Sequence, residues 1–467
     1  MKFTVGREAL EEAVAWVARA LPARPVVPVL GGMLLRASGD WLTLSCFDYE
    51  VSARMRVPAD VTEPGSFLVP GRLLVEIVRS LPGYPVEFGD DPDGVFLACG
   101  EAAYSLAVVE AADYPELPDL PEVAGTADGG TLALAIGQVT PAASKDDTLP
   151  MLTAVNVELD GATMTLAATD RYRLAVRDLD WAPAPAFREH DSTDQDGGER
   201  DSTTEPATRR RGGGQQAKMA LLVSARTLAD AARMMTPGTP VSIMLRTSGD
   251  APGPGDARSA GGTAHAARAG NTADAGDAMI GFETGERRLT TRLLAGEFVR
   301  YRSRFPEEFG CTADLPAAAF AEAVRRVALV AERGAPVQLS FAPGRVAVEA
   351  ATPGRARARE TVAADFTGDE PMIAFSPHYL LDGVVAATAT GPAAPASQGE
   401  RHAGQGERHG GPGRDDPDAP DDPHAPEVAR VRLQFTSASK PAVITPQAEA
   451  GGHGGFRYLV VPQRVPR

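Results

Sequence analysis

One segment type recurs three times along this chain, and that repetition constrains the fold more than any other feature. It reads FLVPGRLLVEIVRSLPG over 67–83, LLVSARTLADAARMMTPG over 221–238 and IAFSPHYLLDGVVAATATG over 373–391. Each copy runs from an apolar strand end, through Pro or Ser at a helix entry, along a helical stretch to a closing Gly. Pro in the first turn and Gly past the last are the punctuation a helix needs, because an orphan N–H costs nothing at its start and a left-handed residue closes its end. In the first copy Leu74, Ile77, Val78 and Leu81 fall on one helical face.

A second helix precedes each of these segments: Arg7–Leu21, then Ile136–Ser144 (short, and interrupted by Pro141), then Leu315–Glu332. In the first, Leu10, Val14, Val17 and Leu21 form the buried stripe. Between the helices lie WLTLSCFDYEVSARMRV, TMTLAATDRYRLAVRDL and RVAVEAATPGRARARETV, whose apolar–polar alternation marks half-buried antiparallel strands. The repeat is therefore α+β, two helices on one face of antiparallel sheet. Its three copies predict domains over 1–125, 126–304 and 305–467.

Three stretches interrupt the pattern, at about 183–216, 248–277 and 391–427. They are rich in Gly, Pro, Ser, Asp and Arg and nearly empty of aliphatics. Such segments bury too little apolar surface to offset an ordering cost of about 1–2 kcal/mol per residue, so they read as disordered loops inserted at element junctions. His190, His265, His402, His409 and His424 lie in them at irregular spacing without cysteines, which argues against a metal tract.

Composition narrows the function classes. The chain of 467 residues has 43% hydrophobic residues and a formal net charge of −16. That acidity disfavours coating nucleic acid with the whole surface but leaves room for one local basic face. Cys46, Cys99 and Cys311 are far apart, as ordinary buried thiols are, with neither metal-site nor disulfide spacing. No apolar run reaches the roughly 18–20 residues of a membrane span, and MKFTVGREALEEAV lacks a signal peptide's apolar core, so a cytoplasmic location is expected. The chain shows no P-loop, dinucleotide fingerprint, nucleophile elbow or zinc motif, and no cofactor or metal is expected. Asp48 and Asp170 sit at equivalent strand positions, but they belong to separate copies, whereas a carboxylate pair must share one site to catalyse.

Several motifs, in order and spacing, resemble the bacterial sliding clamp family, the beta subunit of DNA polymerase III, in its high-GC actinobacterial form. They are MKFTVGRE at 1–8, ARPVVPVL at 23–30, EAADYPELP at 110–118, ATDRYRLAV at 168–176, GEFVRYRSRFP at 296–306, AVRRVALVAERG at 323–334 and YLVVPQRV at 458–465. The resemblance spans essentially the whole chain outside the inserts. It implies a head-to-tail homodimeric ring of three-domain subunits, with helices lining a central hole. Geometry agrees with a dimer. Helices packed about 9–10 Å apart give a circle of roughly 18 Å at the axes from six and roughly 36 Å from twelve. Only the larger leaves a hole of about 26 Å, enough for duplex DNA.

What the resemblance implies for sites follows residue by residue. Helix and turn cations expected to face DNA are Arg7, Arg19, Arg24, Arg72, Arg79, Lys145, Arg226, Arg233, Arg325 and Arg326, with His378 at the helical step that Arg72 and Arg226 occupy in the other copies. Phosphate contacts of this kind position a duplex without reading its sequence; the same residues also fit ordinary solvated helix charges. A groove for a short hydrophobic partner motif would use Leu152, Thr169, Arg171, Tyr172, Arg173 and Leu174, then Val299, Ser303, Pro441, Leu459, Val460, Val461, Pro462, Gln463, Arg464 and Val465. Arg171, Val299, Pro441 and Gln463 depart from the family's commonest residues, which are Gly, Pro, Ser and Met. Tyr104 and Leu106 would meet Leu329 and Val330 across the dimer seam.

The implied function is a processivity factor, itself not an enzyme, with duplex DNA, the replicative polymerase alpha subunit, a clamp loader and other clamp-motif proteins as partners and no membrane association. Two other readings stay open at this point. One is a specialised duplicate clamp that tolerates compounds blocking the groove; the other is a nucleic-acid hydrolase on a clamp scaffold.

Overall fold

The computed structural model describes residues 1–92, 94–108, 114–185, 187, 219–247, 278–369, 371–390, 429–447 and 455–464. The second and third inserts, nearly all of the first, and the five insert histidines lie outside these residues. The chain divides into two compact units, Met1–Arg300 and Tyr301–Arg467.

Six α-helices are present among the described residues: α1 (Arg7–Val17), α2 (Gly71–Ser80), α3 (Gly129–Val139), α4 (Ala225–Ala232), α5 (Ala317–Ala328) and α6 (Pro377–Thr388). They pack as the sequence pairs them, α1 on α2, α3 on α4 and α5 on α6. The apolar stripe of α2 is buried through Leu74, Ile77 and Val78, each such side chain contributing about 1.5–3 kcal/mol. Leu81, expected on that helix, lies just past its end and is still buried.

Three helix boundaries differ from expectation. α1 stops at Val17 and continues as a 3₁₀ turn, Ala18–Ala20. α3 begins at Gly129, seven residues before the expected Ile136. Its Gly129-Gly130 start reads as a helix breaker in sequence, yet the Asp128 carboxylate accepts from the Thr131 N–H at 2.8 Å and caps the first turn. Space also demands glycine there: a Cβ on Gly129 would meet the Thr236 carbonyl oxygen at 2.6 Å. Pro141 ends this helix and lies in the 3₁₀ turn Thr140–Ala142. α5 starts after Pro316, because Cys311–Pro316 is a strand.

In the first unit one 13-stranded sheet joins the first two copies. Its central member, Val51–Glu63, pairs with Trp41–Phe47 along one edge. Along the other it meets Arg287–Arg292 of the second copy and Lys2–Val5 of the first. Phe3 stacks on Phe88 at 4.7 Å where the first strand meets Val86–Asp91. Four further strands of the second copy run antiparallel in the order Met219–Ser224, Ala154–Asp160, Thr163–Thr169, Arg173–Asp180.

The second unit holds a four-stranded sheet, Ala356–Ala363, Arg345–Thr352, Val337–Ala342, Met372–Phe375. Beside it runs a five-stranded array, Asp365–Thr367, Cys311–Pro316, Arg430–Phe435, Ala442–Pro446, Phe456–Val460. The three expected hairpins between helices form as read: Trp41–Phe47 with Val51–Glu63, Thr163–Thr169 with Arg173–Asp180, and Arg345–Thr352 with Ala356–Ala363.

Candidate nucleic-acid and peptide interfaces

The cations expected to face DNA fall into two groups by their partners. Arg24, Arg72, Arg79, Lys145, Arg226 and Arg325 are exposed. Arg72 donates to the Pro22 carbonyl at 3.0 Å, which ties the start of α2 to the turn carrying Arg19 and Arg24. Arg19 reaches across to the second copy, where its guanidinium lies 3.4 Å from the Asp230 carboxylate. Arg233 approaches the same carboxylate at 3.7 Å, so two arginines share one acid. The first unit therefore gathers Arg19, Arg24, Arg72 and Arg233 from two copies into one basic region. In the other group, Arg7 is paired with Glu11 at 2.8 Å. Arg326 is held by Glu322 and Glu360, which raise its pKa through their hydrogen bonds, Glu360 first. Like Arg19 and Arg233 on Asp230, both have part of their charge offset by a carboxylate, whereas among the described residues Arg24, Arg72, Arg79, Lys145, Arg226 and Arg325 do not. His378, exposed at the start of α6, shares a 2.8 Å hydrogen bond between its Nδ1 and the Ser376 hydroxyl.

The expected peptide groove has contributions in both units. In the first unit the turn after Thr169 is stiff. The Thr169 hydroxyl donates to the Arg173 carbonyl at 2.6 Å and accepts from the Arg171 N–H at 3.1 Å. The Asp170 carboxylate accepts from the N–H groups of Tyr172 and Arg173, each at 3.0 Å, and pairs with the Arg173 guanidinium. Leu152, Thr169, Arg173 and Leu174 are buried and serve as struts, whereas Arg171, Tyr172 and Val299 are exposed. The nearby 145–149 loop carries Asp146, whose carboxyl is held below its usual range by the Thr148 N–H first, and also by the charge of Arg171. Leu149 and Met151, flanking Pro150, add exposed apolar surface beside Leu152. Sequence reading passed over both, since DDTLPMLT reads as a plain turn.

In the second unit Leu459 and Val460 are buried strand residues, while Val461, Pro462 and Gln463 are half-buried and Arg464 is exposed. The Gln463 N–H donates to the Ala374 carbonyl at 2.7 Å and fixes this tail against the strand before α6. The Tyr458 hydroxyl donates to the Tyr379 carbonyl at 2.9 Å and ties the last strand to α6. Ala374 and Tyr379 thus belong to the surroundings of the last strand and the tail, although neither was expected there. Pro441 is half-buried and Ser303 exposed in a 3₁₀ turn, Arg302–Arg304. Val465 lies outside the described residues.

The expected dimer seam is uneven. Leu329, just past α5, is 84% exposed, an unusual state for a leucine. Val330 is half-buried. Tyr104 and Leu106 lie on Ala102–Leu106, the last strand of the 13-stranded sheet. Leu106 is buried within its own unit, however, and Tyr104 is half-buried. Both alternate toward the core, so that edge would present backbone and the Tyr104 ring more than Leu106.

Asp48 and Asp170 are accounted for as turn caps. The Asp48 carboxylate accepts from the N–H groups of Glu50 and Val51 at 3.0 and 2.7 Å, as Asp170 does in its copy. Among the described residues no group of three or more His, Cys, Asp or Glu side chains gathers as a metal site. The three cysteines are free and buried, and burial pushes the Cys46 thiol well above its ordinary value. No helix among the described residues is long and apolar enough to cross a membrane.

Comparison with known proteins places these features in one class, subunits of DNA polymerase III. Family models for the DNA polymerase III beta subunit match in chain order: the N-terminal domain over 1–118, the central domain over 127–190 and the C-terminal domain over 302–390. The beta sliding clamp of Streptomyces coelicolor is 38% identical over 467 residues, covering 100% of both chains. That of Micrococcus luteus is 41% identical over 362 residues, covering 78% of this chain and 98% of its own. The beta sliding clamp homolog GriR of Streptomyces muensis is 36% identical over 390 residues, covering 84% and 89%. The crystal structure of the Bacillus subtilis DNA polymerase sliding clamp shares the fold with a TM-score of 0.72 at 21% identity, over 100% of both chains. The chain belongs to the beta sliding clamp family.

Proposed function

We propose that this chain forms half of a head-to-tail homodimeric ring that encircles duplex DNA and tethers the replicative polymerase for processive synthesis. The observation that carries this reading is the 38% identity to the Streptomyces coelicolor beta sliding clamp along the whole of both chains. The ring would comprise three clamp domains per subunit, 1–125, 126–304 and 305–467. The region of Arg19, Arg24, Arg72 and Arg233 would attract phosphates, Arg79, Lys145 and Arg226 would add to it, and Arg325 and His378 would do the same in the other unit. Their long side chains steer DNA without reading bases, as a sliding contact requires.

Polymerase alpha subunit, clamp loader and other clamp-motif proteins would dock an extended hydrophobic motif. Tyr172, Val299, Leu149 and Met151 supply apolar anchors, and the pinned tail Val461–Arg464 supplies backbone groups. The seam would form between the Tyr104 edge of one subunit and Leu329 of the next. The chain works as a non-catalytic subunit in the cytoplasm, bound to DNA. Primer extension by the replicative polymerase with a clamp loader tests this: addition of the protein should lengthen products per binding event, and products of unchanged length would refute it.

A second reading, a specialised duplicate clamp, is favoured by one observation. Arg171 holds a positive φ of 82° at a position where the family commonly places Gly. Together with Val299, Pro441 and Gln463 this alters the groove surface. Compounds that occupy the groove of ordinary clamps should then bind this chain more weakly.

A further inference from the structure

The face of the 13-stranded sheet turned away from α1 carries a row of arginines that the clamp reading does not use. Along Val51–Glu63 the core side is Ala53, Met55 and Val57, all buried, so Arg54 and Arg56 point to the opposite face. Arg54 lies directly opposite Arg288 in the register between the first and second copies. Like charges placed directly opposite across a strand pair are destabilising. Arg36, two strands away, adds a third: burial first, then the charges of Arg288 and Arg36, lower the pKa of the Arg54 guanidinium.

Carboxylates compensate only part of this charge. Arg288 is paired with Glu283, Arg56 with Glu286 at 3.5 Å, and Arg287, on the helix side, with Glu12. Among the described residues neither Arg54 nor Arg36 has a carboxylate within ion-pair distance. Arg36 is solvated, but Arg54 is half-buried, between the 117–120 segment and the Gly285–Glu286 hairpin tip. A desolvated guanidinium without an anion is costly. In front of it opens a cavity of about 260 Å³, whose lining carries four guanidiniums, Arg54, Arg56, Arg287 and Arg288, against two carboxylates, Glu283 and Glu286. That volume holds several waters' worth of ligand.

We propose that this cavity binds a small phosphate-bearing dianion, gripped by Arg54 and Arg288, with Arg56 beside them and the charge of Arg36 close by. Charge selects the chemistry. The two guanidiniums without a carboxylate, Arg54 and the neighbouring Arg36, are neutralised by a phosphate of about −1.5 to −2, whereas one carboxylate leaves a positive charge behind. Guanidinium forks also match phosphate oxygens two at a time. The site would offset the charge of Arg54, which faces Arg288 without an ion pair of its own, Arg288 being held by Glu283.

Isothermal titration of the full chain with inorganic pyrophosphate, orthophosphate and ATP, each without metal, tests the proposal. Saturable binding at one site per chain, weakening as salt rises, is expected. Arg54→Gln and Arg288→Gln should each weaken it at least tenfold, while Arg345→Gln, in the other unit, leaves it unchanged. Ligand-free Arg54→Gln should melt at or above the wild-type temperature, which a merely structural arginine would not allow. Equal binding of pyrophosphate and ATP assigns recognition to phosphate alone; binding of ATP only assigns it to a phosphate carried on a nucleotide. No saturable binding of any of the three, or binding indifferent to both substitutions, overturns the proposal.

Discussion

Tyr49 and Arg171 hold the same backbone conformation at the same step of two repeated hairpins, with φ of 74° and 82°. Each follows an aspartate, Asp48 or Asp170, whose carboxylate accepts the two N–H groups that close the turn. The third copy turns through Pro353, Gly354 and Arg355, with Gly354 at φ 72°. The repeat thus extends below helix and strand to single torsions. A side-chain-bearing residue at positive φ carries strain of roughly 1–2 kcal/mol, which the aspartate cap offsets.

Arg171→Gly should therefore raise folding stability, by about 0.5 kcal/mol once the added freedom of the unfolded chain is subtracted. Tyr49→Gly should behave alike. Arg171→Val should lower stability by about 1–2 kcal/mol, because a β-branched residue resists positive φ. Urea midpoints of the three variants check the ordering.

The 2.7 Å bond from the Gln463 N–H to the Ala374 carbonyl predicts a sharp contrast between two substitutions. Gln463→Pro removes the donor and should free the tail. Affinity for a hydrophobic clamp-motif peptide should fall about tenfold, the order of one lost hydrogen bond with its orphaned acceptor. Gln463→Ala keeps the backbone donor and should retain peptide affinity within about threefold, since roughly 1.4 kcal/mol is needed for a tenfold change. Fluorescence anisotropy of a labelled peptide separates the two.

Periodicity made the helix pairs and the hairpins legible, because apolar spacing is a property of neighbours in sequence. Boundaries were legible only where punctuation was conventional. α2 follows Pro70 as read, whereas α3 begins at Gly129, whose close approach to the Thr236 carbonyl is a tertiary fact. The site residues divide in the same way. Tyr172 and Arg171 are exposed on their turn, but Thr169 and Arg173, read as groove residues, are internal struts. Leu149, Met151 and Tyr379 were missed because nothing local marks a turn residue as exposed or a helix residue as the acceptor of a distant tyrosine. The Arg54–Arg288 opposition depends on a register between strands more than 200 positions apart and leaves no trace in either segment.

Leu329, at 84% exposure, should be silent for the subunit and decisive for the seam. Leu329→Asp should leave the melting temperature of a single subunit within a few degrees, since the side chain buries little in its own chain. It should convert a dimer to monomers in sedimentation velocity, because a charge buried in an interface without a partner costs several kcal/mol. A variant that sediments as wild type contradicts the proposed seam.

Asp128 links α3 to the 236–239 turn, capping Thr131 and accepting from the Gly238 N–H at 3.0 Å. These N–H groups, Thr131 first, hold its carboxyl below the usual range. A depressed folded pKa means that the stabilisation is fully present above the unfolded value of about 3.9 and fades as pH falls through the folded one. Asp128→Ala should cost about 1 kcal/mol at pH 7, as lost caps do. The difference from wild type should shrink below pH 4 in thermal melts taken across pH 3–7.

The central claim is a topological one, and retention on DNA tests it most directly. The protein is loaded by a clamp loader onto nicked circular DNA, washed at high salt to screen direct phosphate contacts, and half the sample is linearised with a restriction enzyme. A ring that encircles the duplex stays on the circle and slides off the cut ends, so gel filtration should find it with DNA only in the uncut half. Equal retention on both forms would mean that it grips DNA by its surface, and would contradict the account.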